Sequence, residues 1–207
     1  MKTKHTILVI FLAFSSGLFA QFGIKTGVNM ANEIKSFSQA DIATGFNSKN
    51  LNGYQIGLIY QAMPKKSGLG MEFGAVLTQK GSVFTDTLSK NIKKGYRELN
   101  YVEVPFNLRY RLTLGVIGVY GIAGIYGSYE LNGETVNEGV EPNEITNTLY
   151  NAFLDHIDYG YNLGFGLEFF NKVQIGGTWT QGIKNTSRNE DSKIKNKVFS
   201  VNLVYLF

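Results

Sequence analysis

Hydrophobic positions recur every second residue through segment after segment of this chain. That period predicts strands with one apolar face, because successive side chains of an extended backbone point to opposite sides. Over 21–31, Phe22, Ile24, Val28 and Met30 form one row and Gln21, Gly23, Lys25, Gly27 and Asn29 the other. The same reading holds over 53–62, 69–78, 101–111, 173–183 and 198–207. It is clearest over 158–169, where Tyr159, Tyr161, Leu163, Phe165, Leu167 and Phe169 oppose Asp158, Gly160, Asn162, Gly164, Gly166 and Glu168. The stretch 116–129 carries glycine and apolar residues in both rows, so the pattern does not assign its inside.

These segments make eight strands. An antiparallel sheet of that size either leaves two edges exposed or closes on itself, and eight strands close into a narrow barrel. The expected fold is all-β: a closed, up-and-down, eight-stranded antiparallel transmembrane β-barrel. The alternative is a soluble, lipocalin-like barrel with its apolar rows turned inward around a ligand. The polar rows decide between them. They are mostly glycine with isolated Lys25, Glu72, Glu103, Arg109, Arg111, Asp158 and Glu168. Such rows suit a crowded lumen, whereas a water-facing surface carries a denser coat of lysine and glutamate. Tyr54, Tyr60, Tyr110, Tyr159 and Phe169 stand near strand ends, where the aromatic girdles of membrane barrels lie.

The connections agree. Long polar links (32–50, 79–100, 130–157 and 184–196) alternate with short turns at 63–68, 112–115 and 170–172. Outer-membrane barrels place long loops outside the cell and short turns in the periplasm.

The N-terminus reads as a secretory leader over 1–20, with a basic start, an apolar core over 6–19 and a small residue at Ala20 before Gln21. Its apolar run is short of the roughly 20 residues that a membrane helix needs. The barrel domain then occupies 21–207. Lys2 and Lys4 leave with the leader, so 20 basic against 16 acidic residues becomes 18 against 16, a net charge of +2. That mild balance gives no reason to expect nucleic acid as a partner. With no cysteine among its 207 residues, the chain has no disulfide, thiolate metal site or cysteine nucleophile.

Chemistry is sparse. Lys25, Glu72, Glu103, Arg109, Arg111 and Glu168 share inward rows and are expected to pair across the lumen as a structural charge network that plugs a narrow barrel. Pro105 lacks a ladder donor and is expected to mark a bulge or bend in its strand. Asp155, His156 and Asp158 have the residue types of a metal or proton-relay site, but neighbours on an extended chain face opposite ways. His156 is expected at a loop edge. The Gly-x-Gly spacings at Gly164 and Gly166, or Gly68 and Gly70, have strand period and no following helix or lysine, so they form no phosphate loop. No clustered nucleophile and base emerges and no cofactor is expected; the chain reads as non-enzymatic. In the links, 79–100 carries Lys80, Lys90, Lys93, Lys94 and Arg97, while 130–157 carries Glu130, Glu134, Glu138, Glu141, Glu144 and Asp155 without a lysine or arginine. Lys90, Lys93 and Lys94 are candidate contacts for lipopolysaccharide phosphates, and the acidic link for a divalent cation or a protein.

The closing strand ends with Phe199, Val201, Leu203, Tyr205 and Phe207 in one row. This resembles the terminal strand by which the outer-membrane assembly machinery recognises its barrels. Together with Phe22-Gly23-Ile24-Lys25-Thr26-Gly27-Val28-Asn29, the segment from Leu99 to Tyr110 that contains Tyr-Val-Glu-Val-Pro-Phe, and Tyr161 to Glu168, the chain resembles the small PorT-family, or outer-membrane β-barrel domain, proteins of Bacteroidetes. The resemblance implies a Gram-negative outer membrane, with membrane lipid and lipopolysaccharide as surroundings. It also implies a possible accessory role in type IX protein secretion, beside a structural or surface-interaction role through the loops.

Overall fold

The structure is a computed structural model, and it describes residues 18–37, 46–86, 93–138, 155–187 and 192–207. Its elements in chain order are β1 (Leu18–Phe37), β2 (Phe46–Lys49), β3 (Leu51–Pro64), β4 (Gly68–Asp86), β5 (Lys93–Leu114), β6 (Ile117–Glu138), β7 (Ile157–Phe169), β8 (Val173–Gly182) and β9 (Ser192–Leu206). β1 pairs β3, β3 pairs β4, each strand from β4 to β9 pairs antiparallel with the next, and β9 pairs back onto β1, so the sheet closes into a ring. β2 adds no ninth stave. It and β3 both pair with β4, and Lys49 stands opposite Val83 while Gln55 stands opposite Thr78, so six residue steps face five. A bulge thus splits one stave, and the ring has eight.

The registers set the barrel's geometry. Starting from Gln21 and following partners around the ring gives Gln61, Glu72, Asn107, Gly124, Asn162, Thr180, Val198 and then Ala31. The circuit returns to β1 ten residues beyond its start, which is the shear of the barrel. For eight strands that stagger corresponds to a tilt of roughly 40°. Every residue on the circuit belongs to an inward row, so the lumen is lined by a rising spiral.

The two faces are those of a barrel with lipid outside. Phe22, Leu58, Phe73, Phe106, Ile125, Phe165 and Leu203 are exposed on the outer wall, while Asn29, Gln61, Glu72, Asn107, Arg109, Asp158 and Glu168 are buried. An inverted, ligand-holding barrel would show the opposite. On β5 the outward apolar row runs from Val102 to Leu112, which at about 3.3 Å per residue and a 40° tilt gives a band about 25 Å tall. At the end away from the short turns, the outward rows give way to amides: Asn32, Asn52, Gln79, Asn100, Asn132 and Gln181 stand where the strands leave the band. Asn100 Nδ2 donates to Asn132 Oδ1 at 2.8 Å, closing part of that belt.

Two expectations need correction. The described residues of the links predicted at 32–50, 79–100, 130–157 and 184–196 are largely strand: β1 runs on to Phe37, β4 to Asp86, β6 to Glu138, β5 begins at Lys93 and β9 at Ser192. A ladder needs only backbone partners, so it continues into polar sequence once the barrel has set the register. Pro105 marks no bulge. Phe73 faces Phe106 and Val76 faces Glu103 in one unbroken register; the proline only interrupts the β4–β5 ladder between them, where its missing N–H leaves no donor. The shift in β5 lies instead at Asn100/Tyr101 against β6. β1 starts at Leu18, and Leu18, Phe19 and Ala20 pair with Pro64, Met63 and Ala62.

The stretch 116–129 is resolved by its neighbours. Tyr120, Ile122, Tyr126 and Ser128 are buried, while Val119, Ile125 and Tyr129 face outward. Its apolar residues occupy both rows because the lumen itself takes two tyrosines and an isoleucine there. Room for Tyr120 comes from glycine: a Cβ on Gly166 or on Gly176 would lie 2.4 Å from its hydroxyl. The β7–β8 connection is a tight turn with Phe170 and Asn171 both at φ 55°, closed by Lys172 N donating to Phe169 O at 3.0 Å. Two of the three connecting residues, 170–172, are thus left-handed, a region that asparagine tolerates far better than phenylalanine.

Candidate functional site

The lumen and the rim hold the residues that carry chemistry. Near the turn end, four of the predicted network residues meet. Arg109 lies between two carboxylates, with Nη1 3.2 Å from Glu72 Oε2 and Nη2 3.5 Å from Glu168 Oε2. Arg111 pairs with Glu168 from the other side and donates to the Pro64 carbonyl, which ties the network to the β3–β4 turn. The guanidinium of Arg109 stacks on the Tyr120 ring at 3.5 Å. Amides fill the remaining positions. Gln61 Nε2 donates to Glu72 Oε2 at 2.7 Å, Gln174 Nε2 donates to Glu168 Oε2 at 2.8 Å, and the two glutamines bond each other reciprocally. Asn107, Asn162 and Thr180 continue the chain of hydrogen bonds up the spiral.

Glu103 and Lys25 do not join this cluster. Glu103 accepts Lys80, with Nζ 2.8 Å from its Oε2, and the same ammonium lies 3.2 Å from Asp158 Oδ2. Tyr126 and Asn196 both donate to that Asp158 oxygen, at 3.0 and 2.9 Å. Lys80 also sits over the rings of Tyr126 and Tyr101, at 4.4 and 5.0 Å. Above this group Arg97 pairs with Glu33, which accepts Ser82 Oγ at 2.7 Å. Lys25 is buried between the two clusters and makes no ion pair with the described residues. The reason is register: its partners across the ladders are Gly57 and Val204, neither of them acidic.

Lys80, Arg97 and Glu33 join the lumenal charges without having been expected there, and Asp158, expected in an inward row, pairs with Lys80. Lys80 and Arg97 lie in a predicted link, yet the alternation already contained them: Thr78, Lys80 and Ser82 continue one inward row, and Arg97, Leu99, Tyr101 and Glu103 another. Asp155 and Asp158 go separate ways, the first to Lys184 at 2.6 Å on the rim and the second into the lumen. His156 lies just before β7 with its ring 6.1 Å from that of Tyr129, at the rim edge. No group of three metal-ligating side chains forms among the described residues. Of the three candidate loop lysines, Lys90 lies outside the described residues; Lys93 and Lys94 begin β5, opposite Asp86 and Glu138. The basic and acidic links are therefore neighbouring strands of one extended ribbon.

The chain is similar in fold to a solved outer membrane protein. The outer membrane protein OprG of Pseudomonas aeruginosa superposes with a TM-score of 0.54 at 15% identity, over 93% of this chain and 98% of that one. Neisserial surface protein A gives 0.48 at 10% identity, over 91% and 99%, and the outer membrane enzyme PagL gives 0.43 at 13%, over 86% and 98%. No curated protein sequence matches the chain. Residues 14–188, most of its length, match the outer membrane protein beta-barrel domain, and the chain belongs to that family.

Proposed function

We propose that this chain is a non-enzymatic, non-conducting barrel of a Gram-negative outer membrane that acts through its outward rim. One observation carries the reading. The lumen is filled by cross-bonded charges and amides at two levels, from Arg111 and Glu168 near the turns to Lys80 and Asp158 near the rim, while β4, β5 and β6 run on beyond the apolar band. β5 alone has eight residues, 93–100, above it, or about 20 Å of paired strand standing clear of the membrane. A plugged lumen with a raised, paired rim serves surface contact better than transport. Export through removal of the 1–20 leader, and insertion by the assembly machinery through the aromatic last strand, belong to the same reading.

Recording from purified protein in a planar bilayer tests it. The expected trace shows no resolved current steps at any voltage the bilayer tolerates; discrete steps that scale with protein would overturn a plugged lumen.

The PorT-like segment around Tyr101-Val102-Glu103-Val104-Pro105-Phe106 supports a second reading, an accessory of type IX secretion. A deletion strain is the check: under that reading, secreted cargo is retained in cells. Normal secretion removes it and leaves the surface role.

A further inference from the structure

The rim is not level. β1, β4, β5, β6 and β9 rise above the amide belt, whereas β7 begins at Ile157 and β8 ends at Gly182. The continuous β8–β9 ladder ends at Gln181 and Lys197; above that point β9 keeps its ladder with β1 and is joined on its other side by one backbone bond, Thr186 N to Ile194 O at 2.9 Å. The chain leaving β8 turns away toward β7, with Ile183 N donating to Tyr159 O at 2.9 Å. The outer wall therefore has a notch, a groove of about 410 Å³ lined by Ile34, Tyr161, Gln181, Ile183, Lys193 and Lys195.

Its lining is ordered by height. Tyr161 sits within the apolar band, Gln181 and Ile183 at the belt, and the lysines above. Lys197, Lys195 and Lys193 share the outward row of β9 that continues Phe199, Val201 and Leu203, and each two-residue step climbs about 5 Å at this tilt. The Lys197 ammonium lies 4.6 Å over the Trp179 ring at the foot of the row. Nearby Lys184 is neutralised by Asp155 at 2.6 Å, but Lys193, Lys195 and Lys197 have no ion pair among the described residues. Cations are thus placed where outer-leaflet headgroups lie, directly above an apolar slot open to the acyl chains.

We propose that this notch binds a phosphorylated lipid of the outer leaflet, with its phosphate held by Lys193 and Lys195 and an acyl chain laid against Tyr161 and Ile183. The proposal rests on the outward orientation of the rim in the reading above. Charge complementarity selects the anion, and the slot below selects a lipid over a soluble polyanion, because a soluble anion gains nothing from the apolar wall.

Native mass spectrometry of the detergent-folded protein with bisphosphorylated lipid A tests this. The wild type is expected to retain one lipid per barrel. Lys193→Gln/Lys195→Gln, still showing its heat-dependent gel mobility, is expected to retain it roughly thirtyfold less well, and Ile183→Asp to weaken it through the acyl wall. Undiminished retention by the folded double variant would overturn the site. Equal retention of dephosphorylated lipid A would overturn phosphate recognition, and displacement by millimolar inorganic phosphate would make it a free-anion site and overturn the lipid. If the rim faced the periplasm instead, protease added to intact cells would leave the rim strands uncut, so a failure of orientation is told apart from a failure of the notch.

Discussion

Arg109→Met should cost about 3–5 kcal/mol of folding stability, the usual effect of removing one partner from a buried ion pair. Arg109 is the cation nearest to Glu72, and its second nitrogen also steadies Glu168. Without it Glu72 keeps hydrogen bonds from Gln61 and Asn107 but no counter-charge in a wall shielded from water. Glu168 keeps Arg111, so the penalty falls chiefly on one carboxylate. Adding Glu72→Gln to Arg109→Met should therefore restore much of the loss, since the stranded charge is gone. Urea unfolding in lipid vesicles, followed by the fluorescence of Trp179, the sole tryptophan, measures both. A single variant as stable as wild type would show that the cluster does not hold the barrel together.

Leu163→Arg should destabilise by about 2–4 kcal/mol, the cost of a cation at the bilayer midplane on a barrel's lipid face. Leu163 is the middle member of the outward row from Ile157 to Phe169 and is half exposed. An arginine there has no lumenal acid within reach, because the whole wall of β7 separates it from Glu168 and Asp158. The same substitution at Tyr159, near the belt, should cost about 0–1 kcal/mol, since the charge reaches headgroup water. The ratio of the two losses in the same vesicle assay reports which face meets lipid. Equal small losses would point to a water-exposed outer wall.

Alternation alone was enough for the strand positions, the even count and the choice of outer face, because side-chain period and solvent are both local properties of a strand. It also placed Glu72, Arg109, Arg111 and Glu168 in the lumen. It could not pair them. Which charges meet depends on the stagger of ten residues around the ring, a quantity no single strand contains. That stagger brings Arg109 between Glu72 and Glu168, sends Glu103 to Lys80, and leaves Lys25 opposite Gly57 and Val204. The strand ends were also beyond local reading. The first polar residue looked like the start of a link at Gln79 and Glu130, yet the backbone ladder continued through both, since a neighbouring strand with a fixed register supplies partners whatever the side chains. The inside of 116–129 followed the same logic, decided by the space that Gly166 and Gly176 leave for Tyr120. The sequence by itself thus determined the class of fold and the solvent on each side; the tertiary structure decided the pairings, the uneven rim and the notch, because these arise where strands of different length and register meet.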